Sequence, residues 1–252
     1  MPNRRPTPSR CCLCLLGLLA IYLGAVAACG GGADGESPGA TKSNATINIM
    51  PLGDSITESS KGLNSYRYYL WHMLINDGYQ VNFVGSKHGV GNGPPANADF
   101  DMDHEGHAGW RADEILNHIQ AWATAASPDV VLLHIGTNDV CQRHSVGSTV
   151  NDISGIIDVL RTVNPRIRVL LAQLINSSHC PPGALNARLP ALVADKNRQD
   201  SPIVLVDQFS GFDPATMTYD GTHPNAAGDS RMAERWFEQL VPVLDAFLSG
   251  EP

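Results

Sequence analysis

The stretch VVLLHI, residues 130–135, is an almost unbroken apolar run, and a strand of that kind belongs in a sheet covered on both faces. It lacks the polar–apolar alternation that marks a strand with one wet face. Residues 47–52, 80–85, 167–174 and 203–206 are further short strand candidates. Between them lie longer stretches with apolar residues at helical spacing: 66–77, 112–125, 150–163, 184–196 and 226–248. Gly78 follows the first as a C-cap, Asn164-Pro165 stops the third, and Pro242 marks a bend in the last. Repeated strand–helix units predict an α/β chain: a parallel sheet of about five strands with helices on both faces. In such sheets the functional loops lie at the carboxyl ends of the strands.

The polar clusters fall at those ends. Gly53-Asp54-Ser55 follows the first strand and a long polar loop follows Gly85. Gly136-Thr137-Asn138-Asp139 follows the apolar run, and Asn176-Ser177-Ser178 and Asp207 follow the last two strands. A random scatter of motifs would not respect the strand ends.

The N-terminus reads as a targeting segment. Arg4, Arg5 and Arg10 precede the uncharged run 11–28, which closes on Val26-Ala27-Ala28-Cys29 and a glycine run. That ending is lipobox-like, with Cys29 the candidate for lipidation. Ala25-Val26-Ala27 also fits ordinary signal cleavage, and the run just reaches spanning length. Each alternative places the rest of the chain outside the cytoplasm, with the membrane met only through a lipid anchor or signal segment. The expected organisation is an export signal at 1–29, a Gly/Ser/Ala-rich flexible tether at 30–45 and one domain at 46–252. Beyond the leader only Cys141 and Cys180 remain. An exported protein with two cysteines often pairs them; two unrelated buried thiols is the alternative. The formal charge is −8, with 17 basic against 25 acidic residues and no basic patch, so nucleic acid is not an expected partner.

Four blocks carry candidate chemistry, and each has a plain structural alternative. Ser55, on a tight turn after a strand, can present its hydroxyl to a cleft, although a serine there commonly caps a helix. Asp220 and His223, three apart around Gly221, can place a carboxylate at the imidazole Nδ1 and leave Nε2 to take a proton; otherwise DGTHP is a surface turn. Asn138 can donate its amide to an oxyanion, or simply stabilise a turn. Gly109 can offer an open backbone N–H, or belong to a helix-entry loop.

Together, in this order, the four blocks resemble the SGNH (GDSL-type) serine hydrolases over nearly the whole domain. Asn64-Ser65-Tyr66-Arg67, Phe83-Val84-Gly85-Ser86, the stretch Asp103 to Arg111 and His134-Ile135-Gly136-Thr137-Asn138-Asp139 resemble the carbohydrate-esterase branch that includes acetyl xylan esterases. The resemblance implies a three-layer α/β/α sandwich, Ser55 as nucleophile, His223 as base and Asp220 as its orienter. It implies oxyanion donors at the Ser55 and Gly109 N–H groups and the Asn138 amide, and no cofactor. Thr222 departs from the leucine often found beside the family's histidine. With strands in the family order, the loops holding Cys141 and Cys180 are neighbours, and a disulfide between them is expected.

The expected substrate is an acylated carbohydrate or another small ester. The loops at 87–107 and 141–148 are polar and offer no apolar groove for a long acyl chain. Trp110 and Tyr219 flank the catalytic blocks as candidate sugar contacts or core residues. A lipase, thioesterase or arylesterase with the same triad is the alternative within enzymes, and a non-catalytic carbohydrate-binding lipoprotein the alternative outside them. No metal is expected: Asp99, Asp101, Asp103 and Glu105 alternate, but His104 and Trp110 stand where a calcium loop needs Gly and a carboxylate.

Overall fold

The structure is a computed structural model that describes residues 45–251. The expected export signal, the lipidation site at Cys29 and nearly all of the tether lie outside the described residues.

The chain opens with β1 (Ile47–Gly53), which runs into a one-turn helix, α1 (Ser55–Glu58), and then α2 (Tyr66–Asn76). Three short strands follow: β2 (Val81–Phe83), β3 (Lys87–His88) and β4 (Asp103–Gly106). Helices α3 (Ala112–Leu116) and α4 (Ile119–Ala126) lead into β5 (Val130–His134). After it come α5 (Thr137–Cys141), α6 (Val146–Val163) and β6 (Arg168–Ala172). The last part holds α7 (Gly183–Asn186), α8 (Leu189–Lys196), β7 (Ile203–Val206), α9 (Pro214–Met217) and α10 (Ala226–Leu248).

The sheet has the order β3-β4-β1-β5-β6-β7, with β2 also paired to β1. All pairings are parallel except β3–β4. β2 pairs with the start of β1, Ile47 to Ile49, and β4 with its end, Leu52 and Gly53, so the two share the edge of β1 that β5 does not occupy. The main sheet is therefore five positions wide, as the sequence predicts, with β3 added as an antiparallel flap.

Both faces are covered. Along β5, Val130 and Leu132 pack into a core with Tyr66, Leu70 and Leu74 of α2 and Met232, Trp236 and Leu240 of α10. Val131 and Leu133 point the other way, onto Ile115 of α3, Ile119 of α4, Ile153 and Ile157 of α6 and Leu189 of α8. This two-sided burial is why the strand reads as a continuous apolar run. The result is a three-layer α/β/α sandwich.

Two predicted helices are each broken in two. The stretch 112–125 breaks at Asn117-His118 because the His118 ring donates from Nδ1 to Glu114 O at 2.9 Å. That carbonyl is the one the His118 N–H would use in a continuing α-helix; the N–H bonds Ile115 O instead. The stretch 184–196 breaks before Leu189-Pro190, since Pro190 has no N–H for the Asn186 carbonyl and is tolerated only in the first turn of α8. The acidic stretch 99–105 is not a plain loop, because its end forms β4. Asp101 accepts the Phe83 and Asp103 N–H groups, and Glu105 accepts the Ser86 N–H and hydroxyl.

Candidate active site

β1 ends close against its neighbours. A Cβ at Gly53 would lie 2.3 Å from His134 O and 2.5 Å from Thr57 Oγ1, so only glycine lets α1 start there. Asp54 caps α1 by accepting the Ile56 N–H at 3.0 Å, which leaves Ser55 in the first turn with its hydroxyl facing outward. Burial pushes the Asp54 carboxyl up to about 6, and the Ile56 hydrogen bond only partly offsets it. Arg67, fully buried, holds the far side of this turn. Its guanidinium donates to the carbonyls of Thr57, Glu58, Gly89 and Met102, so α1 and the loop after β3 are fixed together.

Across the cleft, the turn between α9 and α10 carries Asp220 and His223. Asp220 Oδ1 accepts the N–H groups of Thr222 (3.0 Å) and His223 (2.7 Å), and Oδ2 accepts the His223 Nδ1 proton at 2.7 Å. Burial raises the Asp220 carboxyl, but these hydrogen bonds outweigh it and hold the group below its ordinary value. With the Nδ1 proton so engaged, Nε2 is an acceptor, and it stands 2.9 Å from Ser55 Oγ. Residues 168 positions apart thus form one continuous relay from hydroxyl to carboxylate.

The loop after β6 braces that turn. Ser178 N–H and Ser177 Oγ both donate to Gly221 O, Ser177 Oγ pairs with Thr222 Oγ1 at 3.0 Å, and His179 Nε2 donates to Asp220 O at 2.9 Å. Thr222 therefore uses its hydroxyl where a leucine has none. Cys180 ends the loop and is joined to Cys141 in a disulfide.

The third wall is the segment after β4. His107 N–H donates to Gly53 O, Ala108 N–H to Glu58 Oε2 at 2.6 Å, and Trp110 N–H to His107 O. Gly109, at φ 83°, closes the turn. Among the described residues no acceptor takes the N–H of Gly109 or of Ser55. Asn138, in the first turn of α5, donates one amide proton to Trp110 O at 2.8 Å and retains a second. Asp139 ties the same helix to α3 by accepting the Ala112 N–H.

These walls enclose a cavity of about 280 Å³ beside Ser55 and His223. Glu58, Asn92, Ala108 and Tyr219 line it, together with Ser59, Ser60 and Gly91, and no aliphatic side chain longer than alanine is present. Tyr219 is 53% exposed and lies over the His223 ring, 5.8 Å between centroids and 16° between planes. Trp110 is absent from the cavity wall: it packs with His107, His118 and Trp122 in an aromatic cluster. His134 is fully buried, burial lowers it to about 4, and its Nε2 accepts the Ile175 N–H.

The site thus joins Ser55, His223 and Asp220 in one relay with Tyr219 in the cavity wall, while Gly109, next to the lining residue Ala108, and Asn138, bonded to Trp110 O, do not themselves line the cavity. Sequence reasoning missed Glu58, Lys87 and the bracing residue His179; it placed Ser177 in a polar cluster at a strand end without giving it a role. Glu58 was within reach: three positions after Ser55 on a helix, it shares the serine's face.

The model of the GDSL-like lipase/acylhydrolase family matches residues 52–231. A multidomain esterase of Ruminococcus flavefaciens is 30% identical over 237 residues, 84% of this chain and 30% of that protein. The chain spans 30% and 61% of the lengths of the two curated relatives it matches. A Clostridium thermocellum family 3 carbohydrate esterase superposes with a TM-score of 0.72 at 32% identity, over 81% of this chain and 100% of that one. An acetyl esterase mutant solved with an acetate ion superposes with a TM-score of 0.72 at 30% identity, over 80% of this chain and 99% of that one.

Proposed function

The chain belongs to the GDSL-like lipase/acylhydrolase family, and on that premise we propose that it is an extracytoplasmic serine esterase removing acetyl groups from carbohydrates such as acetylated xylan. The observation that carries the reading is the relay from Ser55 Oγ through His223 to Asp220, opening on a small polar cavity flanked by N–H groups without acceptors.

The geometry serves acyl transfer as follows. Ser55 Oγ attacks the ester carbonyl carbon and its proton passes to His223 Nε2; Asp220 stabilises the imidazolium. The carbonyl oxygen becomes an oxyanion met by the N–H groups of Ser55 and Gly109 and the free proton of the Asn138 amide. The intermediate collapses, the carbon–oxygen bond to the alcohol breaks, and His223 returns the proton to the leaving oxygen. Water then attacks the acyl-serine, again giving its proton to His223, and the carboxylic acid leaves as Ser55 recovers its hydrogen.

The cavity supports a short acyl group. Each buried methylene contributes about 0.8 kcal/mol only where apolar surface receives it, and here the walls are Ser, Gly, Asn, Ala, Glu and His with the Tyr219 ring as the one large apolar surface. The acetyl esterase and the family 3 carbohydrate esterase among the similar structures support the same substrate class. The disulfide and the apolar leader support an extracytoplasmic location, by lipid anchor at Cys29 or by secretion.

Hydrolysis of nitrophenyl acetate, butyrate and octanoate, alongside acetate release from acetylated xylan, tests the reading. The expected kcat/KM falls steeply from acetyl to octanoyl. A profile rising with chain length, or no acetate from any acetylated glycan, moves the assignment to a lipase or thioesterase.

A further inference from the structure

Glu58 sits one helical turn after Ser55, only 7% exposed, in the wall of the same cavity. Its Oε2 accepts the Ala108 N–H at 2.6 Å, and its Oε1 accepts Lys87 Nζ at 2.6 Å. The Ala108 bond immediately precedes the Gly109 N–H, a candidate oxyanion donor. The segment is otherwise held by main-chain bonds from His107 to Gly53 and from Trp110 to His107, by the His107 ring on Glu105 at 2.6 Å, and by Asn138 on Trp110 O; none of these reaches Ala108. Glu58 therefore links the helix of the nucleophile to the loop of the oxyanion donor, and sets how the Ala108–Gly109 turn faces Ser55.

A carboxylate in that wall has a drawback, since its charge opposes the negative charge that develops on the substrate oxygen. Lys87 answers this. It lies on β3, held against β4 by antiparallel pairing, and its ammonium meets the carboxylate on the side away from Ala108. We propose that Glu58 and Lys87 form a charge-balanced positioning pair for the oxyanion donors: Glu58 orients the Ala108–Gly109 turn, and Lys87 cancels the charge that this orientation introduces. The inference rests on the esterase reading above.

The test compares wild type with Lys87→Met, Glu58→Gln, the double variant Glu58→Gln/Lys87→Met, and Glu58→Ala. For each, kcat and KM on nitrophenyl acetate, the rate of Ser55 phosphonylation by a fluorophosphonate, and the thermal unfolding midpoint are measured. Lys87→Met removes the carboxylate's ion-pair partner, leaving only the more remote field of Arg67, and is expected to lower kcat and the phosphonylation rate about 10-fold, with KM within about two-fold. Glu58→Gln keeps an acceptor for Ala108 but turns its amide N–H2 toward the Lys87 ammonium, and is expected to lose about three-fold in kcat. The double variant should recover to the same range, a rescue that lost packing cannot produce. Glu58→Ala should lose about 10–100-fold in kcat; if it fails to fold, the other three decide. Wild-type kinetics in Lys87→Met, or a double variant that multiplies the single losses, overturns the pair. Absence of labelling at Ser55 in the wild type instead overturns the esterase reading, so the two failures are distinct.

Discussion

Cys180 is bonded to Cys141, and the bond joins the helix that carries Asn138 to the loop that braces Asp220 and His223. One covalent link thus fixes a candidate oxyanion donor relative to the base. Its two cysteines are 39 residues apart, and closing a loop of that size stabilises the fold by roughly 3–4 kcal/mol in the chain-entropy account. The double variant Cys141→Ser/Cys180→Ser should lose stability of that order in urea unfolding. It should also lose more in kcat than in KM, because the link holds a candidate oxyanion donor and the His223 turn, whereas Glu58, Ser59, Ser60, Gly91 and Asn92 of the cavity wall lie on other segments. Unchanged kcat in a clearly destabilised protein would show that the link serves stability alone.

The relay assigns different weights to its members. Ser55→Ala should remove activity and fluorophosphonate labelling while the protein stays folded, since the change deletes one half-buried hydroxyl whose hydrogen bond is to His223. His223→Ala should lower kcat by on the order of 10²–10⁴-fold. Asp220→Asn should be milder, because the residue orients the ring and its side chain is 41% exposed, so water can partly replace it. Peptide mapping of the labelled serine and kcat for the three variants check this. Labelling of another serine, or wild-type kcat in His223→Ala, would sink the assignment.

Much of this was legible in the sequence, and the reasons differ between parts. The strands announced themselves because burial on both faces forces continuous apolar runs, as at Val130–Leu133. Of the candidate triad, only Ser55 was marked by a strand end, whereas Asp220 and His223, in the turn between α9 and α10, were legible only through their spacing around Gly221. What stayed hidden depends on side chains competing with the backbone. No periodicity reveals that the His118 ring takes the carbonyl its own N–H needs, or that Pro190 restarts a helix. β4 was hidden by composition, since Asp103, His104 and Glu105 look solvated until His88 pairs with Asp103, the Gly106 N–H with His104, and Ser86 and His107 with Glu105. Lys87 was hidden because its partner lies 29 residues earlier.

Asp54 predicts a pH-dependent stability. Its folded-state value is raised from 3.8 to about 6, chiefly by burial, so the native state binds the proton more tightly than the unfolded chain. Its contribution is fully present below about pH 4 and is lost as pH rises through about 6. The loss is about 3 kcal/mol at full ionisation of this fully buried group. Asp54→Asn keeps the acceptor for the Ile56 N–H and removes the titration. Its stability relative to wild type should therefore rise between pH 4 and pH 7, then level off. Urea unfolding of both proteins across that range measures the difference directly, and a difference independent of pH would refute the account. Using the difference matters, because Asp229 is also raised by burial and gives both proteins a slope of the same sign.

A substitution at Tyr219 tests whether recognition of the leaving group can be separated from chemistry. Its ring is half exposed, forms part of the cavity wall and lies nearly parallel to the His223 imidazole, which it leaves free to reach Ser55. An exposed aromatic face beside a polar cavity suits a sugar ring, whose C–H faces stack while its hydroxyls remain in water. A nitrophenyl acetate molecule is small enough to react without that platform. Tyr219→Ala should therefore raise KM for acetylated xylo-oligosaccharides by about 10-fold, a loss of roughly 1.4 kcal/mol in binding. Its kcat/KM on nitrophenyl acetate should stay within about three-fold of wild type. Tyr219→Phe keeps the ring and should behave as wild type on both substrates. Equal losses on both would mean that the ring supports His223 and does not hold the sugar. No loss on either would leave the glycan to be held by the Asn92 side of the cavity.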